Sequence, residues 1–143
     1  MSSGMSISGA DDAKRAMEVY RKKLPLASDR GVAAVALAYE NELKKVLNKV
    51  QNSGKGNHIG PPGGFPNRRT GRLSNSIATN KIEGFGSYGR EVGAGMVYAR
   101  SLELGNPRWR SNVRYPFMEP VARVLRPAAQ RIFTVAFKRT MGL

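Results

Sequence analysis

The chain has 143 residues, enough for one domain with a single core, and its hydrophobic content of 41% is typical of a folded protein. It contains no cysteine, which excludes disulfides, thiolate metal sites and cysteine nucleophiles. Its formal net charge of +14 predicts attraction to polyanions or acidic proteins, although a basic surface that serves only solubility would have the same composition.

The domain organisation is predicted to be simple. Residues 1–9 are rich in Ser, Gly and Met and are expected to form a flexible N-terminal arm, and residues 10–143 to form one domain. No apolar run approaches the roughly 20 residues that span a membrane, and the N-terminus has neither the basic start nor the apolar centre of a signal peptide. We therefore expect an intracellular product without a membrane partner.

The first half of the domain is predicted to contain two helices. One extends from Ala10 to Leu24 and is expected to end at Pro25, and Ser28 or Asp29 can cap the next. Each helix has an apolar stripe at helical spacing: Ala13, Met17, Tyr20 and Leu24 in the first, and Val32, Val35, Ala36, Tyr39, Leu43, Val46, Leu47 and Val50 in the second.

A long loop rich in Gly and Pro, Ser53–Arg69, follows and is expected to project from the body. It contains His58, the single histidine, which we expect to be solvated because no second metal ligand is near it in sequence. After the loop, the Thr70 hydroxyl can cap a short helix whose apolar positions, Leu73 and Ile77, lie on one face.

The middle of the chain predicts a β-hairpin and a brief helix. Ile82 and Phe85 precede a Gly-Ser-Tyr-Gly turn, and the second strand follows at Arg90–Gly95. Beyond it, Tyr98 and Leu102 share a face of a short helix that Gly105 would close. The turn glycines resemble a phosphate-binding loop, but they lack its Lys-Ser/Thr ending and open no helix, so a hairpin explains them better.

The last third predicts a polar loop, Asn106–Arg114, and a terminal helix. Trp109 either stacks on a base or a partner side chain, or it packs against the core edge while the flanking arginines face water. Residues Tyr115–Phe117 are expected to add an edge strand. The helix starts at Glu119 or Pro120, ends near Arg139, and is expected to kink or break before Pro127. Its predicted stripe is Val121, Val124, Leu125, Ala128, Ile132, Val135 and Ala136.

No catalytic set is apparent. General acid and base catalysis needs positioned carboxylates or histidines, and the ten acidic residues are mostly isolated among basic neighbours. The serines of the segment 70–77 have no histidine or lysine arranged as a base. We expect neither an enzyme nor a cofactor.

Four short motifs resemble a known family in their order and spacing. They are Thr70-Gly71-Arg72-Leu73 with Ser76-Ile77, then Tyr98-Ala99, then Glu103-Leu104-Gly105, then Pro116-Phe117 with Pro120 and Ala122. Together they resemble the tail-completion, or head-tail joining, family of long-tailed bacteriophages, over about residues 29 to 140. The chain departs from that family in its loop length, in having Leu104 where an aromatic is common, and in its additional first helix.

The resemblance implies an α+β subunit with long N-terminal and C-terminal helices packed on a small antiparallel sheet, and a long Gly/Pro loop. It implies a structural virion protein, made in the host cytoplasm, that joins a ring of copies in the neck, and the ring is expected to be a hexamer. The implied partners are other copies of the chain, a head-closure protein, tail terminator or tail tube proteins, and genomic DNA in the channel. Loop position and charge select the candidate contacts: Lys55, Arg68, Arg69, Arg72, Arg108, Trp109, Arg110 and Arg114.

A second hypothesis is a stand-alone nucleic-acid-binding protein that uses the same arginines and Trp109 on phosphates and bases. Its binding would weaken steeply with salt, because phosphate contacts release counterions. No recognised DNA-binding motif supports it.

Overall fold

The computed structural model describes residues 9–49, 60–67, 70–84, 88–109 and 113–143, and it has the predicted α+β architecture of two long helices and a small antiparallel sheet. The predicted flexible arm lies outside the described residues except for Gly9, which begins a helix. In chain order the elements are α1 (Gly9–Lys49), α2 (Arg72–Asn75), β1 (Ile77–Lys81), β2 (Arg90–Ala94), α3 (Ala99–Leu104) and α4 (Met118–Met141).

The two helices predicted for the first half are one. Helix α1 continues through Pro25, so the predicted end at that residue and the predicted cap at Ser28 or Asp29 are wrong. A proline inside a helix removes one N–H donor and leaves the carbonyl four residues earlier, that of Arg21, without its partner. The helix is fully exposed around Arg21, where water can bind that carbonyl, and Ala27 is already packed in the body on the other side.

The antiparallel pairing of the predicted hairpin is confirmed. Its first strand ends at Lys81, before Ile82, and residues 85–87, with Phe85 and part of the predicted turn, lie outside the described residues. Strands β1 and β2 pair antiparallel from Ile77 opposite Ala94 to Lys81 opposite Arg90. The first strand begins earlier than predicted, because α2 ends at Asn75 instead of including Ile77. Thr70 makes only a long contact to the Arg72 amide, 3.4 Å, so the predicted helix from Thr70 to Ile77 is shortened at both ends.

The segment Tyr115–Phe117 does not form the predicted edge strand. Its amides bind elsewhere: the Tyr115 N–H donates to the Leu102 carbonyl at 2.7 Å, and the Phe117 N–H donates to the Glu103 carboxylate at 2.7 Å. The predicted brief helix is confirmed as α3, which Gly105 terminates.

Helix α4 is continuous through Pro127, so the break predicted as one alternative near Leu125 is wrong, and the other alternative, a kink, stays a prediction. Part of the predicted stripe is wrong as well, because Val124 is 79% exposed and Ala128 and Val135 also face solvent. Val121 of the stripe is buried as predicted, and the half-buried Phe133, which the stripe did not include, packs on Gly31 of α1.

Helices α1 and α4 are antiparallel. The Tyr39 hydroxyl donates to the Met118 carbonyl at 2.7 Å, and further along, Gly31 lies directly under the Phe133 ring. The core lies where this pair meets the sheet and α3, and it consists of Leu43, Leu47, Ile77, Ala99, Leu102, Phe117 and Val121. None of the described helices is long and apolar enough to cross a membrane.

Candidate contact site beside Trp109

A cleft of about 330 Å³ opens between the end of α1, the segment around α2, and Trp109. Leu47 and Leu102 supply core side chains to its wall, and Trp109 packs against the same core cluster. The described residues that line it are Leu47, Pro66, Asn67, Thr70, Gly71, Arg72, Leu73, Ser74, Tyr98, Leu102 and Trp109. The described lining is mostly apolar, with Asn67, Thr70 and Ser74 as neutral polar residues and Arg72 as its cation. It suits an apolar or aromatic side chain of a partner accompanied by an anionic group.

The backbone around Gly71 shapes one wall of the cleft. Gly71 has φ 74°, a left-handed conformation that is costly for residues with a Cβ. From there the chain turns into α2, whose first bonds are accepted by the Gly71 and Arg72 carbonyls. The Thr-Gly pair of the first motif therefore turns the chain so that Leu73 faces the core and Arg72 stays exposed beside the cleft.

Helix α3, whose Leu102 lines the cleft, is held to α4 by Glu103. Its carboxylate accepts three backbone N–H bonds at the start of α4, from Phe117 (2.7 Å), Met118 (3.0 Å) and Glu119 (2.9 Å). These are amides that no intrahelical partner satisfies, and a carboxylate there also interacts favourably with the positive end of the helix dipole. A residue of α3 thus caps α4, which explains why a Glu-x-Gly motif precedes Pro-Phe at this spacing.

The Gly/Pro loop is tied to the same region. The Gly63 N–H donates to the Arg114 carbonyl at 2.9 Å, and Tyr115, the next residue, is bonded to α3. Among the described residues, Pro66 is buried and Phe65 packs against the core cluster. The part of the loop at 60–67 therefore lies on the body, in contrast to the predicted projection.

The predicted contact residues are only partly brought together. Arg72 and Trp109 line the same cleft, with Arg72 exposed and Trp109 half-buried against the core. Arg108 and Arg114 are exposed on the flanking loop but do not line the cleft. The remaining candidates, Lys55, Arg68, Arg69 and Arg110, lie outside the described residues, as does His58.

Sequence reasoning missed two residues that matter for this site. Tyr98 lines the cleft, whereas the sequence indicated only that it lies on a helix face. Glu103 joins α3 to the start of α4, whereas the sequence indicated only that it belongs to a motif. The sequence signal for both residues was their place in the motif series. Spacing alone could not have indicated a capping interaction between two separate helices.

Several basic residues of the two long helices pair with an acidic residue on the same helix. Lys44 bonds to Glu40, Lys45 contacts Glu42 at 3.0 Å, and Arg123 contacts Glu119 at 2.6 Å. The remaining exposed basic residues of α4 have no acidic partner among the described residues: Arg126, Arg131, Lys138 and Arg139.

Among the described residues, two groups have a displaced pKa, and both lie on α1, away from the cleft. Burial, with a smaller contribution from the Glu103 charge, raises the pKa of the Tyr39 phenol to about 12. Hydrogen bonds from Lys44 and from Thr79 lower the pKa of Glu40. Both groups join elements of the fold: Tyr39 binds α4, and Glu40 accepts a 2.6 Å bond from Thr79 of β1.

Within the described residues no group of three His, Asp or Glu side chains is placed to hold a metal ion. The described lining of the cleft brings together the aromatic residues Tyr98 and Trp109, core leucines and the Arg72 guanidinium, groups that can bind a partner's side chains. No protein-family model, no curated protein and no solved structure matches this chain.

Proposed function

We propose that the chain is a structural subunit of the neck of a long-tailed bacteriophage, where copies form a ring that completes the tail and joins it to the head. The observation that carries this proposal is that the four motifs of the resemblance meet in one structural unit. The Thr-Gly motif walls the cleft, the Tyr-Ala and Glu-x-Gly motifs form α3, and Glu103 of α3 caps α4 just after the Pro-Phe motif.

The cleft beside Trp109 is the contact that such a ring would use. In a heterologous ring each subunit presents one surface to a different surface of its neighbour, and the ring closes after a fixed number of copies, six in this proposal. A half-buried tryptophan beside an exposed arginine is the kind of anchor that carries interface energy. A loop of a neighbouring subunit, of the head-closure protein or of the tail would occupy it.

The exposed basic residues of α4 suit the surroundings of the genome in this role. Arg126, Arg131 and Arg139 are exposed and lack acidic partners among the described residues. In a ring through which DNA passes, such residues would lower the repulsion between the channel and the phosphates without reading sequence.

The proposal is tested by inactivating the gene in the phage that carries it and complementing it with variants. We expect separate heads and tails without the protein, and joined, infectious particles with the wild-type copy. Arg72→Glu should restore few particles, because it reverses the charge beside the cleft. Arg100→Glu is the matched control, since Arg100 is also exposed but does not line the cleft. Firmly joined, infectious virions in the absence of the protein would refute the role.

A stand-alone DNA-binding protein is the second candidate, favoured by the same unpaired arginines of α4. It predicts an affinity for duplex DNA whose logarithm falls with the logarithm of salt concentration at a slope of about −0.9 per phosphate contact. It also predicts a protein that stays monomeric when mixed with purified tails, as measured by light scattering. No binding to duplex DNA at about 50 mM salt, where phosphate contacts are strongest, would exclude it.

A further inference from the structure

The first part of α1, residues Gly9–Leu26, extends beyond the body as a helix that is exposed at every position. We call it the α1 extension. It is about 27 Å long at 1.5 Å per residue. Its apolar residues Met17, Tyr20 and Leu24 are 74%, 48% and 46% exposed, so each keeps about half or more of its surface free. Val19 and Leu26, 50% and 49% exposed, lie on another side of the helix.

These exposed apolar residues lie on the same face of α1 as residues that are buried in the body. Ala13, Met17, Tyr20, Leu24, Ala27 and Gly31 are spaced alternately by four and three residues, the pattern of a coiled-coil seam. Ala27 and Gly31, at the inner end, are buried, and Gly31 contacts Phe133 of the antiparallel α4. Helix α4 ends at Met141, and the seam continues outward without it.

The width of the seam indicates the type of partner. At 100° per residue the side chains from Ala13 to Leu24 fall within an arc of about 60°. A strip this narrow suits one packed helix, whereas helices that lie in a membrane surface have a broad apolar face. The extension also gains from a partner, since most helical stability in proteins comes from tertiary packing and Pro25 removes one of the hydrogen bonds that join it to the packed part of α1.

Charges beside the seam indicate that the partner is acidic and is not a second copy. Lys14 and Arg21 flank the seam on one side. Lys23 flanks it on the other, with Asp12 about 20° further round the helix, and Asp11 and Glu18 project from the opposite side. Two extensions paired antiparallel would place Lys14 of one copy against Arg21 of the other, and each copy has a net charge of +14.

We infer that the α1 extension is a docking arm for a helix of another protein that has an apolar seam flanked by acidic residues, packed antiparallel to it in continuation of α4. This inference does not rest on the neck role. It identifies an interaction surface separate from the cleft beside Trp109.

The test uses the full chain and a labelled synthetic amphipathic peptide with Leu at the seam positions and Glu at the flanking positions. A second peptide with Lys at the flanking positions is the charge control. Fluorescence anisotropy measures binding, and circular dichroism measures helix gained on mixing. Two variants are compared: Met17→Glu, which places a charge in the seam, and Val19→Glu, which adds the same charge at a position that is 50% exposed and off the seam.

We expect the acidic peptide to bind the wild-type chain and Val19→Glu, and to bind Met17→Glu about tenfold or more weakly, because a carboxylate buried in an apolar seam is unfavourable. Both variants should unfold like the wild type, since the extension lies outside the core. The inference is overturned if the acidic peptide fails to bind, if the Lys peptide binds equally well, or if Met17→Glu has no effect. It is also overturned if the extension mediates self-association, or binds anionic vesicles in place of the peptide.

Discussion

Glu103 offers the sharpest test of how the motif segments hold together. Glu103→Ala removes the acceptor for the amides of Phe117, Met118 and Glu119 at the start of α4. Hydrogen bonds to a charged group contribute roughly 1.5–3 kcal/mol each, but three bonds that share one carboxylate are not additive, and water can reach the exposed Glu119 amide. An N-cap is worth about 1 kcal/mol, and the buried amide of Phe117 adds roughly 1–3 kcal/mol when it loses its partner.

These contributions predict that Glu103→Ala lowers the free energy of unfolding by about 3 kcal/mol, corresponding to a fall of roughly 10 °C in Tm for a domain of this size. Glu103→Gln keeps one acceptor oxygen and loses the charge, so it should cost about half as much. Urea unfolding followed by the fluorescence of Trp109, the only tryptophan, measures both.

Glu18→Ala is the control for these variants, because it also removes one carboxylate from a strongly basic chain but lies on the exposed α1 extension. We expect it to change stability by less than about 0.5 kcal/mol. The reasoning is refuted if Glu103→Ala is no more destabilising than Glu18→Ala. It is refuted equally if Glu103→Gln is as harmful as Glu103→Ala, since the retained oxygen would then contribute nothing.

Three further predictions concern the contacts of α1. Gly31→Ala places a Cβ 2.5 Å from the Phe133 ring, and the cost of this steric overlap should outweigh the gain of about 1 kcal/mol in helix propensity. Combining it with Phe133→Leu should recover stability, as measured by urea unfolding. The pKa of Tyr39 is raised from 10.0 to about 12, so the stability that its neutral phenol contributes is complete below pH 10 and is lost as pH rises from 10 towards 12. In unfolding measured against pH, Tyr39→Phe should therefore lose less stability over that interval than the wild type does. Thr79→Val removes one of the bonds that lower the pKa of Glu40, so this pKa should rise in an NMR titration, with a loss of about 1 kcal/mol in stability.

Periodicity predicted the elements whose backbone hydrogen bonds join residues that are near in sequence. The stripe of α1 from Val32 to Leu47 and the hairpin were both predicted, because each has a regular period over several residues. Proline was overinterpreted at both Pro25 and Pro127. Its cost is about one hydrogen bond plus a steric term, and a long helix with a packed face tolerates that cost where the freed carbonyl is exposed to water.

The errors at Val124 and Tyr115 have a different cause. Spacing identifies that an apolar stripe exists, but which of two adjacent stripes faces the body depends on where α1 crosses α4, and that crossing is set by contacts such as Gly31 with Phe133. Tyr115–Phe117 has strand composition, yet its amides bind α3, so no strand forms. The candidate site was predicted only as two charged loops, and the cleft that joins Arg72 to Trp109 required the tertiary structure.

Glu103 and Phe117 have a different role from Arg72, although all three lie in the motif series. This difference allows a loss of folding to be told apart from a loss of the proposed function. Glu103 and Phe117 hold elements together, so their substitution should impair folding and, through it, any activity. The Arg72 side chain is exposed and makes no hydrogen bond or ion pair with the described residues, so Arg72→Glu should leave unfolding unchanged and impair only a contact made at the cleft. If Arg72→Glu joins heads to tails as well as the wild type does while Glu103→Gln does not, the motifs describe a shared fold and the cleft is not the contact surface.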